Sequence, residues 1–188
     1  MVEDLRTLSI AESGELNLHK SRLSVNSLLS RSAESFEQAA LQAGTKLIYL
    51  PLDGDAQLEA DDRQLSRVLA NLIDNAIKHG TLANYEANSI TLSAQVLEIE
   101  ALEDSEKTSH QWLEISIRDK GQGLPEEALE QVFERFYRTD SARSRKLNHV
   151  HSGLGLSIAK AIIEAHGGDI KAENHPEGGA VFLIYLPL

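Results

Sequence analysis

Apolar residues recur along this chain at two spacings, one typical of helices and one typical of strands. Spacings of three and four residues predict helices, and short alternating or continuous apolar runs bounded by Gly or Pro predict strands. The predicted helices cover residues 2–13, 25–43, 61–79 and 154–166, with a helical turn or two at 125–136; the predicted strands cover 46–50, 57–60, 89–99, 112–118, 169–173 and 180–186. This order predicts an α+β fold, a two-layer sandwich in which helices cover one face of a mixed β-sheet.

Two details of this sandwich are less directly indicated by the pattern. Residues 57–60 follow the strand at 46–50 after a short turn, and we expect these two strands to pair. The segment 100–110 is polar and acidic and is predicted to be an exposed loop between two strands.

The composition is that of a globular chain. Of the 188 residues, 41% are hydrophobic and 25% are charged, enough apolar material for a sizeable core. The net charge of -11 argues against a nucleic-acid partner, because such a partner requires a basic face. The absence of cysteine excludes disulfides and thiolate chemistry. No apolar run reaches the roughly 20 residues of a membrane span, so we expect no membrane contact by this chain.

The helix predicted at 61–79 has two distinct faces. Its apolar residues follow helical spacing and are expected to pack on the sheet: Leu65, Val68, Leu69, Leu72, Ala76 and Ile77. On another face Asn71, Asn75 and Lys78 fall within about 40° of one another, because each helical residue turns by about 100°. An Asn carbonyl is an oxygen ligand that suits Mg²⁺. Judged alone, this polar stripe is equally consistent with a face exposed to solvent.

Two glycine-containing segments suggest ligand contacts. Residues 119–123 (DKGQG) follow a predicted strand, where glycines allow close approach of a ligand and the Asp119 carboxylate can accept from an exocyclic amine such as that of adenine. Residues 152–157 (SGLGLS) open the helix at 154–166, where free N–H groups attract an anion such as a polyphosphate. Each segment has a simpler alternative, a turn for the first and a helix cap for the second.

A cluster of basic residues interrupts this otherwise acidic chain. It follows Phe133 and Phe136, which are predicted to be buried, and consists of Arg135, Arg138, Arg143, Arg145 and Lys146. These cations could close over phosphates as a mobile lid. A solvated basic loop is the alternative.

Taken together, the order of these motifs resembles the catalytic and ATP-binding domain of bacterial sensor histidine kinases. This domain has the Bergerat ATP-binding fold of the superfamily that includes gyrase, heat-shock protein 90 and mismatch-repair ATPases. The matching motifs are the N box at 71–79, the first glycine box at 119–123, the F box at 133–136, the second glycine box at 153–156 and a closing strand at 178–187. The similarity extends from about residue 25 to the C-terminus.

The resemblance implies a role for each matching residue. Asn75 would ligate Mg²⁺, Asn71 and Lys78 would act at the phosphates, and Asp119 would bind the adenine amino group. The other nucleotide-binding residues implied are His79, Gly121, Gly123, Phe136, Arg138, Arg143, Gly153, Leu154 and Gly155. ATP and Mg²⁺ are therefore the expected cofactors. His151 stands where members of the family often carry a glycine.

The opening of the chain is similar to the end of the second helix of the family's dimerisation and phosphoacceptor domain. We therefore expect residues 1–14 to be a remnant of that domain and residues 15–188 to be the catalytic domain, with an ATP lid at about 137–152. None of the seven histidines lies in a His-(Glu/Asp)-x-x-(Thr/Asn)-Pro context, so the chain is interpreted as a fragment that does not phosphorylate itself. The implied partners are the phosphoacceptor domain and a cognate response regulator. The resemblance also implies a cytoplasmic domain of a homodimeric parent in the bacterial inner membrane.

Two other functions are alternatives to the kinase. An ATP hydrolase of the same fold usually carries a Glu four residues before the metal-binding Asn, as a base for water. Here that position is Asn71, which cannot accept a proton. A non-catalytic nucleotide sensor is disfavoured because both Asn75 and Asp119 are present. The preferred interpretation is a domain that donates the γ-phosphate of Mg-ATP to a histidine, for onward transfer to a response-regulator aspartate.

Overall fold

The computed structural model describes residues 5–6, 8–10, 16–80, 88–103, 106–137 and 153–188. Its elements, in chain order, are β1 (Ser21–Ser24), α1 (Val25–Gln42), β2 (Lys46–Leu50), β3 (Gln57–Ala60), α2 (Asp62–His79), β4 (Ser89–Glu103), β5 (Glu106–Arg118), α3 (Ala128–Gln131), α4 (Gly155–Ala165), β6 (Asp169–Asn174) and β7 (Ala180–Pro187). Residues 5–6 and 8–10 are helical, and the rest of the helix predicted at 2–13 lies outside the described residues. Among the described helices, none is both long and apolar enough to cross a membrane.

Five strands form the main sheet, in the order β2-β4-β5-β7-β6. β2 and β4 run parallel, and the other three pairings are antiparallel, so the sheet is mixed as predicted. On its covered face the central strand β5 buries Leu113, Ile115 and Ile117. The helices α1, α2 and α4 supply the opposing layer of the core. The predicted apolar face of α2 is buried in full, and Ile73 joins it. The predicted α+β two-layer sandwich is confirmed.

The predicted pairing of residues 57–60 with 46–50 is wrong. β3 pairs instead with β1 in a separate two-stranded antiparallel sheet, with Ser21 opposite Ala60. The connection between β2 and β3 does not fold back as a hairpin, because it is tied to the start of α1. Val25 N donates to Ala56 O at 3.0 Å, and Leu52 N donates to Asn26 Oδ1 at 2.8 Å. Because α1 directly follows β1, these hydrogen bonds hold the β2–β3 connection near β1, and β3 lies alongside β1.

The predicted loop at 100–110 is also wrong, since this segment belongs to a long hairpin. β4 and β5 pair without interruption from Thr91 opposite Arg118 to Glu103 opposite Glu106. Within the described residues, β2 reaches only as far as Ser93 on one side and β7 only as far as Trp112 on the other. A two-stranded ribbon without a third strand needs no buried face, so polar composition here is compatible with strand structure.

A buried histidine links the helices that carry the candidate site. His166, directly after α4, donates from Nδ1 to Ile162 O at 2.8 Å and accepts at Nε2 from Asp61 N at 3.1 Å. Asp61 caps α2, its Oδ1 accepting from Gln64 N at 3.0 Å, and its Oδ2 accepts from His19 N at 2.8 Å. Burial favours a raised pKa for Asp61, but the two backbone hydrogen bonds and the neighbouring histidines together leave the pKa lowered. The end of α4 is therefore fastened to the start of α2.

Candidate nucleotide-binding site

The C-terminal end of α2 meets the loop that follows β5. Gly80 comes directly after the helix, and a Cβ added there would lie 2.4 Å from Asp119 Cβ. A Cβ added at Gly121 would lie 2.8 Å from Gly80 Cα. Both distances are shorter than real Cβ contacts, so the helix end and the loop touch through their glycines. The predicted N box and first glycine box are therefore adjacent in space.

Asp119 is the buried acid at this junction, with 5% of its surface exposed. Its Oδ1 accepts from Gly121 N at 2.8 Å and from Ala180 N at 3.1 Å. Burial raises the pKa of Asp119, and the two backbone hydrogen bonds oppose that rise. Both hydrogen bonds described for the carboxylate reach Oδ1, which leaves Oδ2 as the acceptor for an amine. An exocyclic amino group of a purine is a donor of the required kind.

The middle of α2 meets the start of α4. Asn71 Nδ2 donates to Gly155 O at 3.1 Å across a sequence separation of 84 residues. A Cβ added at Gly155 would lie 3.7 Å from Asn71, an ordinary contact. Gly80 follows Asn71 by nine positions, a rise of about 13.5 Å along the helix axis. The polar face of α2 therefore runs from the Asp119 loop to the start of α4, and a ligand that contacts both must be elongated.

The N-terminus of α4 is the candidate anion site. α1 and α2 are capped by the side chains of Ser24 and Asp61, whereas no described side chain caps α4. The first N–H groups of such a helix have no partner within it and are available to an anion. Leu154 precedes α4 with 0% of its surface exposed, so only its backbone can contribute to a ligand.

The side chains of the polar stripe on α2 have different surroundings. Asn75 is half-buried, and its carboxamide has no hydrogen-bond partner among the described residues. Lys78 is ion-paired through Nζ with Asp74 Oδ2, one helical turn away. His79, the exposed last residue of α2, contributes a charge that acts to lower the pKa of Asp119. A phosphate ligand would therefore have to compete with Asp74 for Lys78.

Comparison with known sequences decides the family. The family model described as "Histidine kinase-, DNA gyrase B-, and HSP90-like ATPase" matches residues 60–188. The chain belongs to this ATPase family.

Relatives of this chain include sensor kinases and their solved domains. The chain is 36% identical over 187 residues to sensor histidine kinase WalK of Bacillus subtilis (strain 168), covering 100% of the chain and 28% of WalK. It is also similar to full-length ShkA solved with AMPPNP, at a TM-score of 0.76 and 23% identity, over 99% of the chain and 35% of ShkA. The catalytic domain of histidine kinase ThkA matches at a TM-score of 0.68 and 26% identity, over 90% of the chain and 95% of that domain.

ThkA has also been solved in complex with response regulator protein TrrA, and there the match has a TM-score of 0.67 and 25% identity, over 99% of the chain and 48% of ThkA. The chain thus spans about a quarter to a half of these longer kinases. The predicted resemblance to the ATP-binding domain of histidine kinases is confirmed.

The prediction that Phe136 is buried is wrong. Phe133 has 8% of its surface exposed and packs edge-to-face on Phe182 with ring centroids 6.3 Å apart, but Phe136 is 62% exposed. The backbone at Phe136 turns to a φ of 59°, and its N–H donates to Gly153 O at 3.1 Å. A Cβ added at Gly153 would lie 3.0 Å from Phe136 Cα. The backbone of Phe136 is held against the second glycine box while its ring points outward.

Some predicted site residues lie outside the described residues, and two residues at the site were not predicted from the sequence. Arg138, Arg143 and His151 fall in the first group, with nearly all of the predicted lid. Asn174 and Ala180 fall in the second: both bond to the loop at 119–124, and only the register of β6 and β7 brings them there. The sequence predicts the closing strands at 169–173 and 180–186, but it carries no signal for a ligand role of these two residues.

The donors present fit an adenine nucleotide with a divalent cation. A buried carboxylate oxygen suits the base, an uncapped helix N-terminus suits the phosphates, and an amide carbonyl without a described partner suits Mg²⁺. The roles of the individual residues stay predictions.

Proposed function

We propose that this chain is the catalytic ATP-binding part of a bacterial sensor histidine kinase. It holds Mg-ATP and donates the γ-phosphate to a phosphoacceptor histidine on a separate helical domain, from which a response-regulator aspartate takes the phosphoryl group. The observation that carries the proposal is the polar face of α2, which joins the buried Asp119 carboxylate at one end to the uncapped start of α4 at the other.

Each group on this face has a defined task in the proposal. Asp119 Oδ2 accepts from the adenine amino group, and the N–H groups at the start of α4 bind phosphate oxygens. The Asn75 carbonyl would hold Mg²⁺, which supplies positive charge to the polyphosphate when bound. Lys78 exchanges Asp74 for a phosphate oxygen. Phosphoryl transfer depends mainly on positioning and charge stabilisation, and this arrangement of fixed donors meets that need.

The arrangement of Asn71 favours transfer to a protein acceptor over transfer to water. Its Nδ2 donates to Gly155 O, so the side chain is held as a hydrogen-bond donor at the place where a hydrolase needs a base. Asp74, the nearest acid on α2, is paired with Lys78. Neither residue is arranged to activate a water molecule.

The proposal includes the partners and location of the parent protein. The ThkA–TrrA complex supports a response-regulator partner. The similarity of residues 1–14 to a dimerisation helix supports a homodimeric parent. We place the domain in the cytoplasm, because the ATP it consumes is cytoplasmic, and the parent in the inner membrane, on its resemblance to sensor histidine kinases alone.

Calorimetric titration with AMPPNP tests nucleotide binding directly. We expect binding that strengthens with Mg²⁺, together with negligible ATP turnover by the chain alone. Adding labelled ATP and a separately purified helical domain with a phosphoacceptor histidine should then label that histidine. Rapid hydrolysis would favour an ATPase, and a lack of AMPPNP binding would contradict the proposal as a whole.

A further inference from the structure

The loop that contains Asp119 is held at both of its ends by one rung of the β6–β7 ladder. Asn174 of β6 and Ala180 of β7 are cross-strand partners. Ala180 holds the start of the loop: its O accepts from Asp119 N at 2.9 Å, and its N donates to Asp119 Oδ1 at 3.1 Å. Asn174 holds the end of the loop at Leu124.

The Asn174 carboxamide brackets one residue of backbone. Its Oδ1 accepts from Leu124 N at 2.8 Å, and its Nδ2 donates to Leu124 O at 2.8 Å. This pairing uses one donor and one acceptor of the amide together, so an Asp or a Leu of the same size cannot reproduce it. Gly123 makes room for the bracket, since its φ is 72° and a Cβ there would lie 2.5 Å from Asn174 Oδ1.

The location of Asn174 indicates a local task. Its side chain is exposed and takes no part in the hydrophobic core, so the bracket adds little to the packing of the domain. What it determines is the path of residues 119–124, which contain two glycines and whose other hydrogen bonds to the described part of the sheet are those of Asp119 with Ala180. That path sets where Gly121 N meets Asp119 Oδ1, and hence the direction in which Oδ2 points.

We propose that Asn174 is a positioning residue for adenine recognition: by pinning Leu124 it fixes the loop that orients the Asp119 carboxylate toward the exocyclic amino group of the base. This inference rests on the proposed function, in which Asp119 binds that amino group. Asn174 itself does not contact the nucleotide.

ADP and IDP provide the test, because IDP carries a carbonyl oxygen where adenine carries its amino group. The affinity of the whole chain for each is measured by calorimetry. We expect the wild-type chain to prefer ADP, and Asn174→Ala to weaken ADP binding by about tenfold while leaving IDP binding nearly unchanged. Asn174→Asp keeps the acceptor for Leu124 N but loses the donor to Leu124 O, so its ADP affinity should lie between those of the wild type and Asn174→Ala. This variant replaces Asn174→Ala in the test if Asn174→Ala does not fold.

Asn26 offers a matched control, because it brackets Leu52 in the same way. Its Nδ2 donates to Leu52 O at 2.9 Å, and its Oδ1 accepts from Leu52 N at 2.8 Å, in a loop that has no predicted ligand role. Asn26→Ala should lower the stability of the domain but keep the wild-type ratio of ADP to IDP affinity.

Three results would overturn the proposal. One is an Asn174→Ala chain with the wild-type affinity ratio, and another is equal weakening of ADP and IDP, which would indicate a structural role alone. The third is a wild-type chain that binds ADP and IDP equally, which would remove the adenine role of Asp119 and this proposal with it.

Discussion

Gly179 lies in the turn between β6 and β7, and its replacement by alanine is expected to disturb both the fold and the adenine end of the site. Its φ is 89°, a left-handed conformation that residues with a Cβ rarely adopt. A Cβ added there would lie 2.0 Å from Asp119 O and 3.0 Å from Lys120 Cα. Both neighbours are backbone atoms, so the loop itself has to move.

The two effects can be separated by comparing Gly179 with Gly178. Backbone strain at a positive φ costs about 1–3 kcal/mol, and forcing extra atoms into a packed contact costs about a further 1–3 kcal/mol. Gly179→Ala should therefore lower the free energy of unfolding by about 2–6 kcal/mol. Gly178 has a φ of 95°, and no atom lies within 4 Å of its added Cβ, so Gly178→Ala incurs only the strain.

Urea unfolding and AMPPNP titration measure the two consequences. We expect Gly178→Ala to be destabilised but to bind AMPPNP as the wild type does. Gly179→Ala should lose more stability and also bind AMPPNP more weakly, because its Cβ displaces Asp119. If the two variants had the same unfolding midpoint and the same affinity, the close approach of Gly179 to Asp119 would have no energetic weight, and the reasoning would be refuted.

Three further predictions concern single side chains. Asn75→Ala should abolish the Mg²⁺ dependence of AMPPNP binding without changing the urea midpoint, and a persistent Mg²⁺ effect would contradict the assignment. Asp119→Asn should weaken the binding of adenine nucleotides by about tenfold or more, because the amide lacks the charge of the carboxylate acceptor. Binding at full affinity would argue against a role of Asp119 in adenine recognition. Burial lowers the pKa of His166 below 6.5, so the unfolded chain binds the proton more readily. Stability should therefore be fully present above pH 6.5 and fall on acidification, and His166→Gln, which cannot titrate, should flatten this dependence in urea unfolding.

The tertiary structure corrects the sequence-based predictions where neighbours in sequence are not neighbours in space. The predicted pairing of 57–60 with 46–50 assumed a hairpin, but hydrogen bonds to the start of α1 carry β3 to β1. The polar, acidic composition of 100–110 predicts a loop, but the segment pairs as a ribbon, and a two-stranded ribbon needs no apolar face. Phe136 is predicted to be buried with Phe133, but a backbone turn places its ring outside.

The sequence by itself determined the helices α1, α2 and α4, most strands, the buried face of α2 and the order of the nucleotide-binding motifs. These follow from local periodicity and from residue types with restricted chemistry, which do not depend on distant contacts. Only the tertiary structure decided which groups meet: Asn71 with Gly155, and Asp119 with Ala180, across 84 and 61 residues. The role of Asn174 belongs to the same class, because strand register, and no local pattern, brings its amide to Leu124. Such contacts depend on how whole elements pack, so the partner of a side chain cannot be predicted from its residue type or its local sequence.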